Sequence, residues 1–287
     1  SRLPRPPAAP GAPVGAPPLL TLQTLGEFRV FIGEQELPGP TLARQKKVTD
    51  LLKLLVVHRR TGVVKEVLYD VFWPGYLPKS CRDNLNSIIY RLRRTLGEEH
   101  PYVLSDGATL GLNPELCRVD ADRFREALAA AERAARRSLL PAGDARGAEA
   151  RELYLRAKAL YTGDFLQNDL FYDDIRDARE GLLSQYLQLL FRLVVMSLDA
   201  GEHRQAVALA NELVQKDPLC EPASRLLMIA CRAVGNRSDV PRVVQRLAER
   251  LKRAFGIEPD PRTIDLQRLL LDGQDLQPSL WREETMI

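Results

Sequence analysis

The fold is decided by residues 80–97, which read SCRDNLNSIIYRLRRTLG. The apolar residues of this stretch recur at helical spacing and would share one face of a helix: Leu85, Ile88, Ile89, Leu92 and Leu96. The opposite face would carry guanidinium, amide, hydroxyl and aromatic groups. Ser80 and Asp83 match a capping box, and Gly97 stands where helices commonly end. We therefore predict an amphipathic helix that begins at Ser80 and has one polar, basic side.

The polar side of this helix has the chemistry that proteins use to bind DNA. Lysine and arginine pair with phosphates, and arginine and asparagine present paired donors to base edges. We predict DNA contacts from nine residues on or just before the helix: Lys79, Ser80, Arg82, Asn86, Ser87, Tyr90, Arg91, Arg93 and Arg94. Three alternatives stay open at this point. Asp83 would act as a cap, Arg93 and Arg94 would stabilise the helix dipole, and the whole face would be an ordinary solvated surface.

The basic charge of the chain is concentrated around this helix. The 287 residues have a net charge of +3, but residues 44–97 contain 12 Lys or Arg against 4 Asp or Glu, a net charge of +8. The rest of the chain, with 29 basic and 34 acidic residues, has a net charge of −5. A local excess of this size attracts polyanions and predicts binding that weakens with salt.

Other functional classes find no matching pattern. The four cysteines and three histidines lack the spacing of metal ligands or of a disulfide framework, so we expect neither a metal nor a cofactor. The sequence has no phosphate-binding glycine loop and no metalloprotease or serine-hydrolase motif, so we do not expect an enzyme. No run of 18 apolar residues occurs, and we expect a cytoplasmic protein without a membrane span. The apolar run 186–198 is interpreted as a buried helix.

The first part of the chain predicts a small mixed unit. Residues 1–18 are rich in proline, alanine and glycine, which is typical of an extended linker, and we expect a further domain upstream. Residues 19–42 predict short strands with a turn at Gly33-Glu34. Helices are predicted at 44–58 and 65–72, the second burying Val67, Leu68, Val71 and Phe72. A hairpin with Asp106-Gly107 at its tip follows residue 97, and we predict a backbone contact to DNA from its Thr109.

The second part of the chain predicts helices almost throughout. Their approximate bounds are 121–138, 146–161, 173–200, 203–215, 222–234, 239–255 and 261–271. The turns at Gly201 and Gly235 lie 34 residues apart, which is the period of tetratricopeptide repeats. Stacked helix pairs of this kind commonly form a concave surface for a protein partner.

The order of these elements resembles an OmpR-type winged helix-turn-helix. The resemblance rests on LGEFRVFIGEQEL (25–37), VVKEVLYDVFWP (63–74) and the helix of 80–97 with its Leu-Arg-Arg-x-Leu-Gly ending. The second part resembles the bacterial transcriptional activator domain of SARP-type regulators through VDADRF (119–124), YTGDFL (161–166) and FGIEPDP (255–261). The expected fold class is mainly α: an N-terminal α+β winged helix-turn-helix at 19–114, an all-α tetratricopeptide-like repeat domain at 119–273 and a tail at 274–287.

The resemblance implies a transcriptional regulator. Its partners would be double-stranded DNA, read by the helix of 80–96 in the major groove, and RNA polymerase, contacted by the helical repeats. Self-association on DNA and a C-terminal position within a larger multidomain regulator are implied as well. The alternative is a protein-interaction scaffold whose winged helix does not bind DNA, because one fold can serve several functions.

Overall fold

The computed structural model describes residues 17–137, 145–169, 172–272 and 276–285; most of the predicted linker, residues 1–16, lies outside them. The chain forms two compact units, a small α+β unit and an all-α repeat unit, as the sequence predicts. The first unit comprises residues 17–23 and 28–119, and the second comprises Thr24–Glu27 and the residues from Asp120 onward. Thr24–Glu27 therefore belong to the second unit, although they lie within the sequence span of the first.

Two small sheets frame the first unit. Its strands are Leu20–Gln23 (β1), Arg29–Ile32 (β2), Gln35–Glu36 (β3), Val63–Val64 (β4), Val103–Ser105 (β5), Thr109–Leu112 (β6) and Cys117–Val119 (β7). One sheet has the order β3-β2-β1-β7, with β2 antiparallel and β7 parallel to β1, and the other has the order β4-β6-β5. The turn at Gly33-Glu34 and the hairpin tip at Asp106-Gly107 lie where the sequence predicts them.

Four helices complete the described part of this unit: Gly39–Arg44 (α1), Lys46–Val57 (α2), Lys65–Phe72 (α3) and Pro78–Leu96 (α4). Helices α2 and α3 both pack against α4. The apolar side of α4 predicted from the sequence is buried, and so is the apolar stripe predicted for α2, which consists of Val48, Leu51, Leu52 and Leu55. Both results confirm the helical periodicity. Helix α1 was not predicted; it is one and a half turns long and has Pro40 in its first turn.

Two predictions about α3 and α4 are wrong in detail. Helix α4 begins at Pro78 after Leu77, so Ser80 is its third residue rather than its cap, and no side chain caps this end. Proline is well suited to the first helical position, and it sets the start of the helix in place of the Ser80–Asp83 pair. In α3, Val67 and Val71 were expected to be buried but are 47% and 37% exposed. This short helix packs on α4 with the side that carries the buried Leu68 and Phe72.

The described helices of the second unit are Asp120–Arg137 (α5), Ala145–Leu160 (α6), Asp173–Asp199 (α7), His203–Lys216 (α8), Glu221–Val234 (α9), Asp239–Phe255 (α10), Pro261–Leu271 (α11) and Ser279–Arg282 (α12). Through α11 their bounds agree with the predicted ones to within one residue. Helix α12 and the 3-10 turn Glu283–Thr285 after it were not predicted.

The helices pair in the manner of a repeat. Helix α7 packs on α8, α8 on α9 and α9 on α10, and the turns inside the pairs α7–α8 and α9–α10 contain Gly201 and Gly235. Both glycines have positive φ angles, of 73° and 95°, which glycine adopts without steric cost. The 34-residue period thus reflects two successive helix hairpins with equivalent turns.

Helix α7 meets the length and composition criteria of a membrane-spanning helix. Half of its most apolar window is buried inside the structure, where α7 packs on α6 and α8. Core helices meet the same criteria, and the fully buried Leu190, Leu193 and Val194 lie in the run that the sequence assigns to the core.

Candidate nucleic-acid interface

The predicted DNA-contacting side of α4 is exposed along its length. Of the ten predicted contact residues, the nine on α4 are exposed, and Tyr90 presents 58% of its surface to solvent. The buried residues of the same helix are Cys81, Leu85, Ile88, Ile89, Leu92 and Leu96. The buried residues lie on one side of the helix and the nine predicted contact residues lie outside that side, so the structure brings the nine side chains together on one outward surface.

Four cations on this surface are uncommitted. Within the ranges that the structure describes, no hydrogen bond or ion pair engages the charged groups of Lys79, Arg82, Arg91 and Arg94. An unpaired guanidinium or ammonium on a rigid helix loses no internal partner when it meets a phosphate or a base. This part of the surface is therefore the best suited to bind a polyanion.

Two of the predicted contact residues on α4 already have partners within the unit. The Arg93 guanidinium donates to the carbonyl oxygen of Val103 in β5, at 3.1 Å. The Ser87 hydroxyl donates to the carbonyl oxygen of Asp83 one turn earlier, at 3.0 Å. Arg93 therefore fastens the hairpin β5–β6 to α4, and Ser87 has only its oxygen lone pairs left for another molecule.

The start of α4 adds backbone donors to the side-chain cations. The first residues of a helix have free N–H groups and a partial positive charge, which together attract anions. Ser80 lies in this first turn and is exposed, beside Lys79. The correction to the helix start thus removes Ser80 as a cap but leaves it next to the positive end of the helix.

The hairpin of β5 and β6 has an ordered tip. The backbone N–H of Thr109 donates to Oδ1 of Asp106 at 2.8 Å, and hydrogen bonds from the Thr109 side chain and backbone lower the pKa of Asp106. Gly107 at the tip has a φ angle of 101°, a conformation that favours glycine. Thr109 is half-buried, and its backbone N–H is already used inside the tip.

Lys65 is a residue at this tip that the sequence analysis did not single out. It opens α3, and its Nζ donates to the carbonyl oxygen of Gly107 at 2.6 Å. The pairing of β4 with β6, in which Val64 lies opposite Thr109, brings Lys65 to the tip. A two-residue strand leaves almost no signal in the sequence, so this approach could not be predicted.

Several other cations of the basic region contact groups inside the unit. Lys47 lies over the ring of Trp73, 4.9 Å from its centroid, and Lys53 lies 5.1 Å from that of Phe28. Arg59 donates to the carbonyl oxygen of Val56 at 2.7 Å. Fewer cations are therefore free to bind another molecule than the net charge of +8 suggests.

The signature residues of the second unit form an architectural site. In YTGDFL, the Tyr161 ring stacks on Tyr186 at 4.0 Å, and the Thr162 hydroxyl donates to the carbonyl oxygen of Leu25 at 2.6 Å. A Cβ atom added to Gly163 would lie 2.8 Å from the Cα atom of Gly26, so only glycine fits there. This motif seats the segment Thr24–Glu27 in the second unit.

The other two motifs are architectural as well. In VDADRF, the Asp120 carboxylate accepts the backbone N–H groups of Thr24 and Leu25, at 2.9 and 3.0 Å. In FGIEPDP, Gly256 ends α10 in a left-handed conformation, and the Asp260 carboxylate caps α11 by accepting the N–H of Arg262 at 2.8 Å.

Comparison with known proteins gives one family and several relatives. Residues 119–271 match the family model of the bacterial transcriptional activator domain. The regulatory protein AfsR of Streptomyces griseus is 26% identical over 257 residues, which cover 89% of this chain and 25% of AfsR. The AfsR of Streptomyces coelicolor is 30% identical over 225 residues, covering 78% of this chain and 22% of that protein. The chain thus spans about a quarter of the length of these relatives.

A shorter relative and a solved structure extend the comparison. The transcriptional regulator RedD of Streptomyces coelicolor is 27% identical over 251 residues, covering 84% of this chain and 69% of RedD. The structure of Mycobacterium tuberculosis EmbR in complex with a low-affinity phosphopeptide superposes with a TM-score of 0.72 at 21% identity, covering 93% of this chain and 69% of EmbR. At this identity the likeness to EmbR concerns the fold alone.

Proposed function

Since the chain belongs to the bacterial transcriptional activator domain family of SARP-type regulators, we propose that it binds DNA sequence-specifically and regulates transcription. Residues 19–114 would bind DNA, with α4 in the major groove. Residues 119–273 would contact RNA polymerase or another protein. The family is one of transcriptional regulators rather than of enzymes, and the proposed mechanism is binding in the cytoplasm.

The observation that carries this proposal is the outward face of α4. It combines the uncommitted cations with an exposed amide and an exposed aromatic ring on one helix that is firmly packed on its other side. A helix of this diameter fits the major groove of B-DNA, where side chains can reach base edges. A rigid support is what a reading helix requires, because its side chains must hold their register on the duplex.

The environment of each side chain suggests how the roles divide. We assign base contacts to Arg82, Asn86 and Arg91, whose forked or amide groups can make paired hydrogen bonds. Phosphate contacts are assigned to the other exposed or half-buried candidates: Lys79, Ser80, Ser87, Tyr90, Arg94 and Thr109. Arg93 is assigned a weaker contact to DNA, because its guanidinium already donates to the carbonyl oxygen of Val103.

The helical unit supports a second, protein-binding role. Stacked helix hairpins offer an extended surface that repeat proteins commonly use for partners. We propose RNA polymerase as the partner, and assembly of several copies on DNA, because the chain belongs to a transcriptional activator family.

Fluorescence anisotropy with promoter-derived and random-sequence duplexes tests the DNA-binding proposal. Phosphate contacts by Lys79 and Arg94 would release counterions from the DNA and predict that log K falls with log salt concentration with a slope of roughly −2. Arg82→Ala/Arg91→Ala should weaken binding and reduce the preference for the promoter-derived duplex, because both residues are assigned to base contacts. The control Arg123→Ala/Arg133→Ala removes the same charge from exposed residues of α5 and should bind like wild type.

Two results would contradict the DNA-binding proposal. One is the absence of binding by the wild type at low salt. The other is equal binding by the α4 variant and the α5 control.

One observation favours the alternative of a protein-binding winged helix. Helix α3 and the segment after it expose apolar side chains, among them Val67, Val71, Tyr76 and Leu77. Exposed apolar side chains close together commonly mark a protein contact. If Val67→Ser/Leu77→Ser abolishes a protein contact while DNA binding fails in the anisotropy experiment, the scaffold function replaces the regulator.

A further inference from the structure

The second unit contains an open groove of about 340 Å³ between helices α8, α9 and α10. It is lined along one side by Arg204 and Val207 of α8 and along the other by Val243 and Arg246 of α10. Its volume lies at the lower end of the range of about 300–1,000 Å³ that is typical of ligand pockets. The groove can therefore hold a few side chains rather than a whole helix.

The floor of the groove is apolar. Leu227 and Cys231 of α9 and Val243 of α10 are buried, and Val207 is half-buried beside them. Burial, and secondarily the charge of Asp239, raise the pKa of the Cys231 thiol to about 11, so the thiol is neutral at physiological pH. Apolar side chains that enter the groove would therefore move from water onto an apolar floor that carries no charge.

The rim of the groove has an excess of positive charge. Arg242 is balanced by Asp239, with Nη1 and Oδ1 separated by 3.1 Å, and the same carboxylate accepts the Asn236 amide at 2.9 Å. Arg204 and Arg246 are exposed, and neither has an ion pair or hydrogen bond to another residue in the described part of the chain. Two guanidinium groups therefore border an apolar floor with no internal anion to neutralise them.

We propose that this groove binds an acidic amphipathic peptide segment of a partner protein. Leucine-like side chains would enter between α8 and α10, and neighbouring carboxylates would pair with Arg204 and Arg246. Arginine is suited to this task because its planar fork matches a carboxylate in two places. The inference rests on the proposed function, in which the helical unit contacts a protein, and it names the surface and the chemistry of that contact.

Nucleic acid fits the groove less well than such a peptide. Single-stranded nucleic acid binds largely through bases that stack on aromatic side chains. The residues that line the groove include no aromatic side chain, and all of them lie in the described ranges. An apolar floor also offers nothing to a phosphate backbone, whereas it matches the apolar side of a peptide.

The test is an NMR titration of the ¹⁵N-labelled full chain with a short amphipathic peptide made only of leucine and glutamate. Saturable shifts are expected at the amides of Val207, Cys231 and Val243. Arg204→Glu/Arg246→Glu should weaken binding by at least about tenfold, because two attractive charge pairs become repulsive. The control Arg123→Glu/Arg133→Glu changes the same charge on exposed residues of α5 and should bind the peptide like wild type.

Three outcomes would overturn the inference. The first is a spectrum that the peptide leaves unmoved. The second is an equal response to a peptide with lysine in place of each glutamate, which would remove the role of the arginines. The third is a response of the groove amides to duplex DNA but not to the peptide, which would assign the groove to nucleic acid.

A parallel binding assay with RNA polymerase separates this inference from the proposed function. If polymerase binds the wild type and the Arg204→Glu/Arg246→Glu variant equally, and the peptide does not bind, then the groove inference fails while the proposed function stands. If the peptide binds as expected and polymerase does not, then the groove inference stands and the choice of polymerase fails.

Discussion

A side chain at Gly163 would collide with the backbone of Gly26, because a Cβ atom added there would lie 2.8 Å from the Gly26 Cα atom. Gly163→Ala should lower the free energy of unfolding by about 1–3 kcal/mol, since the new methyl group would displace the Gly26 backbone. Gly181→Ala is the matched control, because no atom lies within 4 Å of the added Cβ. In the middle of α7 it should stabilise by up to about 1 kcal/mol. Urea unfolding of both variants gives the comparison, and an equal response would contradict the steric explanation.

Arg91 tests the assignment of base contacts on α4. Arg91→Ala should cost about 1–3 kcal/mol of binding free energy and relax the preference at one base pair. Anisotropy with a series of singly substituted duplexes measures both effects. A loss spread evenly over all duplexes would assign Arg91 to a phosphate instead. Arg93→Ala is the control, and it should alter the stability of the first unit more than its base preference, because it removes the bond to Val103.

The burial of a residue can be predicted from the sequence where helical periodicity determines it. Burial and contacts that depend on residues far away in the sequence are predicted poorly. The buried side of α4 follows directly from apolar spacing, and every residue predicted to lie there is buried. Val67 and Val71 have the same kind of spacing, yet both are exposed to solvent. The partner of Lys65 at the hairpin tip depends on a strand pairing 45 residues apart in sequence, between Val64 and Thr109.

At the scale of elements, polar contacts connect the C-terminal segment to helices α7 and α9. Trp281 of α12 is buried, and its Nε1 donates to Oδ1 of Asp199 at the end of α7, at 2.9 Å. In the 3-10 turn, the Glu284 carboxylate pairs with Arg225 of α9 through two hydrogen bonds of 2.7 Å. Both members of this pair are largely buried.

We expect Glu284→Ala to lower the free energy of unfolding of the second unit by about 3 kcal/mol, because it leaves the buried Arg225 charge without its carboxylate. Asp265→Ala provides the control, since it removes an exposed partner of Arg268 that is worth at most about 0.5 kcal/mol. Thermal unfolding followed by circular dichroism compares the two. If both variants melt like wild type, the pair does not hold the C-terminal segment.

The same segment shows why some elements escape sequence analysis. Helix α12 has four residues, which is too short for an apolar period to be recognised. Its position depends on Asp199 and Arg225, which lie 82 and 59 residues from their partners. Helices α5 to α11, by contrast, have 11 to 27 residues and are long enough for their bounds to be predicted within one residue.

At the scale of the whole molecule, buried thiols and phenols predict a loss of stability in alkali. Burial raises the pKa of Cys231 to about 11 and that of Cys117 to about 12, from a usual value near 9, and it raises the pKa values of Tyr161 and Tyr186. Below pH 9 the folded and unfolded thiols are both protonated. Above it the unfolded thiols lose protons first, so the unfolded state binds fewer protons and stability falls by up to about 1.4 kcal/mol per pH unit for each thiol.

The measurement for this prediction is urea unfolding under reducing conditions across the range from about pH 9 to about pH 11, the interval between the usual thiol pKa and that of Cys231. Cys231→Ala serves as the control and should make the decline in stability shallower. A free energy of unfolding that stays level across this range would contradict the assigned direction of the shifts.

The division of the chain into two units can be predicted only in part from the sequence. A mainly α chain with a small mixed unit followed by helical repeats is predicted correctly, because the spacing of apolar residues and turn residues indicates each helix from its own sequence. The composition of the second unit is not, because Thr24–Glu27 join it through hydrogen bonds to Asp120 and Thr162 and through the close approach at Gly163. Those bonds link positions about 95 to 137 residues apart.

The membership of Thr24–Glu27 in the second unit constrains how this gene can recombine. A recombination event that exchanged only the codons for the helical repeats would replace the residues that bind Thr24–Glu27. It would leave Thr24–Glu27 themselves unchanged. An incoming unit without an equivalent of Asp120 would leave the amides of Thr24 and Leu25 without their acceptor. One without an equivalent of Gly163 would collide with the backbone of Gly26. The two halves should therefore be inherited together, as a single genetic cassette.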